Sequence, residues 1–453
     1  MSNVKNRIKS SVKVPKTDNS KRSLQGHIRP VHQNVNVSIL SKAASTNSRL
    51  DLHGFRNLAY IMLICSNLRL LVENYLNHGF SIPIQSLGIP RDDVRIGIYC
   101  TLLIPCHLLL ANIIERTAIK TLKNKKNTSS YELWTQFAAL HAINEFACLA
   151  ITTLIVQFYV YHPLVGTILL VHSVILCLKV TSYALANREL RAAYLNNLPV
   201  PELYRSHPYP SNLAFSNLVY FWWAPTLVYQ PVYPRSPNIR ITFVLRCITE
   251  VCVLSLGIWF LSAQYATPIL KSSIPLLNTR EYALVFERLL KLASVSIIVW
   301  LMGFVVVFQS MLNLLAEIMR FGDREFYKDW WNSGSVSTYW RLWNRPMNTF
   351  FRRHIYFPLM KRGYGATSST VIVFTVSAIL HELVVGIATH NLIGVAFISM
   401  MLQIPLSLAT APLEQMRGPG TTIGNCIFWL SFFLGQPLNI LLYYFAWNVR
   451  YQK

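Results

Sequence analysis

Long apolar runs separated by short polar breaks dominate the chain. A bilayer core about 30 Å thick takes roughly 20 apolar residues per helical crossing. Runs of that kind with few charges lie near 55–76, 94–115, 135–160, 163–186, 242–270, 284–316, 369–389, 393–411 and 424–447. The period-two alternation of a membrane β-barrel is absent, which leaves the helical bundle as the architecture that satisfies its own backbone hydrogen bonds in lipid. The pattern predicts an all-α polytopic membrane protein with about nine transmembrane helices. Two long polar connections, about 187–240 and 317–368, would form a cap of loops and short helices. The first is rich in Pro and Tyr, so it is not one continuous helix. The second carries Trp330, Trp331, Trp340 and Trp343, the residue type favoured at a membrane boundary.

Composition agrees: of 453 residues 53% are hydrophobic and 13% charged, and the mean hydropathy is +0.34. A net charge of +23 raises the question of a nucleic-acid partner. Its distribution answers no. The positive charge gathers in residues 1–50, in the predicted loop RTAIKTLKNKKN (116–127) and in RLWNRPMNTFFRRHIYFPLMKRG (341–363). With nine crossings these fall on one side, the positive-inside pattern, which makes that side and the N-terminus cytosolic. Residues 1–50 hold too few aliphatic positions to repay ordering and read as a flexible basic arm, with 51–453 as a single membrane-embedded domain. The arm has no apolar signal-peptide core, so the first span is the targeting element and the endoplasmic reticulum membrane the expected location. The eight cysteines lie in the apolar runs without CxxC spacing, which supports neither disulfides nor a metal site. Glycine-rich phosphate loops, internal repeats and paired broken helices are also missing, against an ATP-driven pump or a repeat-built transporter.

Candidate chemistry centres on His381, midway along SSTVIVFTVSAILHELVVGIA with Glu382 beside it. An ionisable pair in a span is costly and marks function by default, although a histidine can also bond helices together. From spacing alone both roles stay open. A zinc-protease HExxH is excluded because position 385 is Val385. Ser377 lies one turn before His381 on the same face, whereas Glu382 points about 100° away. Gln403 and Gln436 place amides inside the last two runs, where each needs a partner. Asn344, before Arg345-Pro346, is by itself a cap or turn residue. Arg69 and Glu73, four apart, read as a structural ion pair.

Several segments together carry a resemblance: FYKDWWN (326–332), YWRLWN ending at Asn344 and SAILHE around His381, in this order and spacing. SNLRLLVENYL (66–76), YFWWAPTLVYQPVYPRSPNIR (220–240), QIPL (403–406) and GQP (435–437) extend it over nearly everything after residue 50. The chain resembles the membrane-bound O-acyltransferases, and within them the branch that esterifies diacylglycerol with acyl-CoA.

That resemblance implies an intramembrane chamber reached by acyl-CoA from the cytosol and by the lipid acceptor from the bilayer. It makes His381 the general base and Asn344 a catalytic amide near the thioester. It places Gln403, Gln436, Ser377, Glu382, Trp343 and Tyr356 around the substrates. Arg341, Arg345, Arg352, Arg353, Lys361 and Arg362 become candidates for the CoA phosphates, with positive-inside topology as their other explanation. It further implies direct transfer in a ternary complex, no metal or prosthetic group, acyl-CoA as co-substrate, and a homodimer. A sterol or long-chain alcohol is the alternative acceptor, and a lipid transporter or scramblase the reading from another class. Two departures from the family pattern stand out: Asn348 where a histidine is expected, and LVVG after Glu382 where an aromatic-led run is expected. Both leave acceptor and chain-length preference open.

Overall fold

The structure, a computed structural model, describes residues 88–124, 130–416 and 419–451 and scattered positions between 61 and 79. The expected arm over 1–50 and Arg69 lie outside the described residues, as does the first apolar run, 55–76, apart from isolated positions. The other eight runs all become helices long and apolar enough to cross a membrane.

In chain order the helices are α1 (Arg91–Leu122), α2 (Ser130–Tyr159), α3 (Pro163–Leu195), α4 (Phe215–Trp223), α5 (Ile241–Asn278), α6 (Tyr282–Ile318), α7 (Val336–Leu342), α8 (Arg345–Phe351), α9 (Phe357–Lys361), α10 (Ala366–Ala388), α11 (Val395–Met401), α12 (Gln403–Gln415) and α13 (Pro419–Tyr451). Helices α4 and α7–α9 are the short ones; α11 and α12 together make one crossing. Among the described residues the only β pairing is an isolated bridge between Arg235 and Phe321. The fold is all-α.

Local breaks have local causes. Pro105 supplies no N–H, and α1 bends there. π-turns interrupt α5 at Ser262–Ala266 and α6 at Val305–Met311, and another, Arg352–Tyr356, joins α8 to α9. The basic stretch 116–127 corrects the expectation of a loop: helix continues to Asn124, because Ala118 and Ile119 are buried and carry the stretch along the core.

Alternate crossings put both long connections, 196–240 and 319–365, at the same end of the bundle, and they are tied together there. Gly322 N–H donates to Pro234 O at 2.8 Å and Ser236 N–H to Arg320 O at 2.9 Å, while Arg240 pairs with the buried carboxylate of Glu317 at 2.9 Å. Lipid is as apolar as a leucine side chain, so the hydrophobic effect does not hold such helices together; packing and polar contacts do. Lys179 of α3 shows how. Its ammonium donates to the carbonyls of Phe221, Trp222 and Ala224 at 2.8, 3.0 and 2.8 Å, closing the C-terminal end of α4. Trp330 of the FYKDWWN segment is 1% exposed and sits among Trp300, Phe304, Tyr339 and Phe428, so this motif forms a packing hub. Residues His78–Lys453 form one compact unit, which holds the site.

Candidate active site

α10 carries His381 because its sequence is largely apolar and free of proline for 23 residues. One face, with Val373, Val376, Leu380, Leu383 and Val384, packs on Val174 and Leu178 of α3 and on Phe350 and Phe351 of α8. Phe374, seven residues before His381 and therefore on nearly the same face, meets the Trp340 ring at 5.8 Å. His381 thus looks toward the same interior side as the aromatic hub. Its side chain is nonetheless open to a water-sized probe, while protein crowds the volume around it.

The imidazole is fixed. Its Nδ1 lies 2.7 Å from the carbonyl oxygen of Ser377 and 3.5 Å from the Ser377 hydroxyl. A carbonyl only accepts, so the proton resides on Nδ1 and Nε2 keeps its lone pair, the form a general base requires.

Glu382 serves a different task. One carboxylate oxygen accepts the Gly394 N–H at 2.9 Å; the other accepts the Phe397 N–H at 3.2 Å and the Tyr443 hydroxyl at 2.7 Å. It caps the N-terminus of α11 and ties it to α13. Gly394, the N-cap, has φ 76°, a conformation suited to glycine. Gly386 is equally specific: a Cβ there would lie 2.9 Å from the nearer Glu382 oxygen and 3.2 Å from the Asn391 carbonyl. The unexpected LVVG run therefore makes room for this cap.

Asn344 occupies the N-cap of α8, where its Oδ1 accepts the Met347 N–H at 3.1 Å. Its Nδ2 makes no hydrogen bond among the described residues. The cap reading and a free donor coexist in one side chain. Trp343, next to it, stacks on Tyr339 at 5.8 Å and packs on Phe308 at 5.5 Å, within the aromatic hub. Gln403 Nε2 donates back to Ser399 O at 3.3 Å, and Ser399 Oγ donates to Asn439 of α13 at 2.9 Å. Gln436, half-buried, sits one turn before Asn439, so Ser399 links the helices that carry the two glutamines.

The basic residues divide. Arg345 pairs with Glu325 at 2.7 Å, Arg341 donates to Thr338 Oγ1 at 2.6 Å, and Arg352 lies over the Phe357 ring at 5.1 Å. Arg353, Lys361 and Arg362 are exposed and meet no carboxylate among the described residues. Tyr356 rests against Phe357 at 5.6 Å. This turn is anchored by a residue that sequence reasoning passed over: His354 Nε2 lies 2.8 Å from Ser182 Oγ, which also accepts the Tyr229 N–H at 2.9 Å. Burial, with help from the Arg353 charge, depresses His354 to about 4. A neutral ring accepting from Ser182 fits that shift. No group of three or more His, Cys, Asp and Glu able to hold a metal occurs among the described residues.

The sequence that builds this arrangement has relatives among known proteins. The family model for MBOAT, the membrane-bound O-acyltransferase family, matches residues 154–445. The chain belongs to this family. It is 36% identical over 408 residues to diacylglycerol O-acyltransferase 1 of Dictyostelium discoideum, covering 90% of this chain and 64% of that one. It is 36% identical over 422 residues to diacylglycerol O-acyltransferase 1C of Glycine max, covering 92% and 78%. To diacylglycerol O-acyltransferase 1 of Homo sapiens it is 35% identical over 399 residues, covering 86% and 79%. The membrane-bound O-acyltransferase match and the described helices agree on a multi-pass membrane enzyme fold.

Proposed function

We propose that the chain transfers a fatty acyl group from acyl-CoA to the free hydroxyl of diacylglycerol, producing triacylglycerol and CoA. The observation that carries the mechanism is the Nδ1–H bond of His381 to the Ser377 carbonyl, which leaves Nε2 ready to accept a proton. Nε2 takes the hydroxyl proton as the oxygen attacks the thioester carbonyl; the C–S bond breaks, and the proton passes from the imidazolium to the departing thiolate. Atoms and charge balance without a cofactor or metal. The Nδ2 of Asn344 is the candidate donor to the developing oxyanion, and Gln403 and Gln436 orient the substrates.

His381 lies 15 residues from the start of α10, about 22 Å deep. A thioester on a long arm suits that depth, with the CoA phosphates held outside by Arg353, Lys361 and Arg362. On this reading the basic end of the bundle and the N-terminus are cytosolic, the membrane is that of the endoplasmic reticulum, and the enzyme works as a homodimer. The names of the relatives in soybean, human and Dictyostelium support diacylglycerol over a sterol as the acceptor.

The test uses membranes lacking neutral-lipid synthesis, labelled oleoyl-CoA, and diacylglycerol, cholesterol or hexadecanol in turn. Labelled triacylglycerol that disappears in His381→Ala supports the proposal. Steryl or wax ester in its place would reassign the acceptor, and full activity in His381→Ala would reject the base.

A further inference from the structure

The connection between α3 and α5 folds around a recess of about 200 Å³, partly open to solvent, walled by His207, Ser216, Asn217, Tyr220, Tyr233 and Arg235. No acidic residue lines it. The Arg235 guanidinium lies over the Tyr220 ring at 4.4 Å and meets no carboxylate among the described residues. Its neighbours differ: Arg240 and Arg324 share Glu317, and Arg205 pairs with Glu202. The Tyr220 hydroxyl is buried with no hydrogen-bond partner. Burial raises its pKa, so it remains a donor.

Ser216 is the second residue of the nine-residue α4, whose N-cap, Ala214, has no side chain able to cap it. The amides of Asn217 and Leu218 turn back to Ala214 O; those of Phe215 and Ser216 find no acceptor among the described residues. An unpaired guanidinium, an imidazole, the Ser216 hydroxyl and a free helix N-terminus therefore border one recess, with the unpartnered Tyr220 hydroxyl buried in its wall. This is donor chemistry for a phosphate group. The same helix exposes Phe215 by 60% and Trp223 by 49%; eight residues apart, they project within about 80° of each other. Exposed aromatics beside an anion site at the end of a membrane bundle belong at the level of lipid headgroups.

We propose that this recess binds the phosphate of an anionic membrane phospholipid, with Phe215 and Trp223 against its acyl chains. The site is independent of the acyl-transfer chemistry at His381. Detergent-purified full-length protein is titrated with phosphatidate, with phosphatidylcholine and with inorganic phosphate, reading retained lipid by mass spectrometry and the shift in melting temperature. Phosphatidate is retained and stabilises the protein, phosphatidylcholine does so less, and Arg235→Gln lowers phosphatidate retention about tenfold. Arg205→Gln, on the same connection but already paired with Glu202, leaves it unchanged. Ser216→Asp suits the first turn of a helix yet places a negative charge in the recess, so it folds and loses the lipid, which guards against misfolding of the arginine variant. Equal retention by the wild type, Arg235→Gln and Ser216→Asp overturns the site. Arg235-dependent stabilisation by inorganic phosphate with no preference for phosphatidate overturns the lipid as its source.

Discussion

His381 donates from Nδ1 to the carbonyl of Ser377, one turn earlier in the same helix, at 2.7 Å. The orienting group is backbone, so the tautomer is set by the helix carrying the ring. The Ser377 hydroxyl, at 3.5 Å, is at the limit of a hydrogen bond.

This separates two substitutions on adjacent turns. His381→Ala removes the proposed base and is expected to lower acyl transfer by about 10²–10⁴-fold. Ser377→Ala keeps the carbonyl and reduces kcat by less than about threefold. Both are read in initial rates with labelled acyl-CoA, normalised to folded protein by gel filtration. A loss in Ser377→Ala as deep as in His381→Ala would mean that the hydroxyl, not the carbonyl, governs the ring.

Asn344 combines a cap with a free amide, and the two roles can be taken apart. Asn344→Ala loses the cap and about 1 kcal/mol of stability together with activity. Asn344→Asp keeps an oxygen for the Met347 N–H, so its melting temperature returns toward wild type, but it has no Nδ2 to offer the thioester, and kcat stays low. Recovery of both properties in Asn344→Asp would leave the residue as a cap alone.

The spans were legible because an apolar run of bilayer length has few other uses, and eight runs appear as helices. His381 was legible as an ionisable residue in such a run. The job of Glu382 was not, because hydropathy and helical angle say that it points away from His381 but not what stands opposite. Its partners Gly394, Phe397 and Tyr443 come from 12, 15 and 61 residues further along the chain. The best local clue was Gly386 in LVVG, a small residue one turn after a half-buried carboxylate. Asn344 as a cap was readable from Pro346, since proline suits the first turn of a helix. His354 carried no local signal; its significance comes from Ser182, 172 residues away.

Glu382 and Tyr443 couple α10 to α13 through the start of α11, and the coupling is measurable. Tyr443→Phe removes one donor to the carboxylate and the acceptor for the Ala396 N–H, and Glu382→Gln weakens the cap. Each lowers stability by about 1–3 kcal/mol, and the double variant loses about 1–2 kcal/mol less than the sum. The reading is thermal unfolding in detergent. Strict additivity would show that the 2.7 Å contact contributes nothing.

His354 gives the cap a pH dependence whose sign follows from its partners. In the unfolded chain it titrates near 6.5; folded, burial and Arg353 hold it near 4. Between those values the unfolded chain binds more protons than the folded one, so unfolding takes up a proton and stability falls as pH falls. The contribution is complete above about 6.5 and lost by about 4, amounting to about 2 kcal/mol after allowance for partial exposure. The Ser182 hydroxyl donates to the neutral ring, and protonation of Nε2 would leave that hydroxyl proton facing another donor. His354→Asn can still accept from Ser182 but does not titrate, so its melting temperature between pH 6.5 and 4 should fall less steeply than that of the wild type. Parallel pH profiles for the two proteins would move the dependence to other groups.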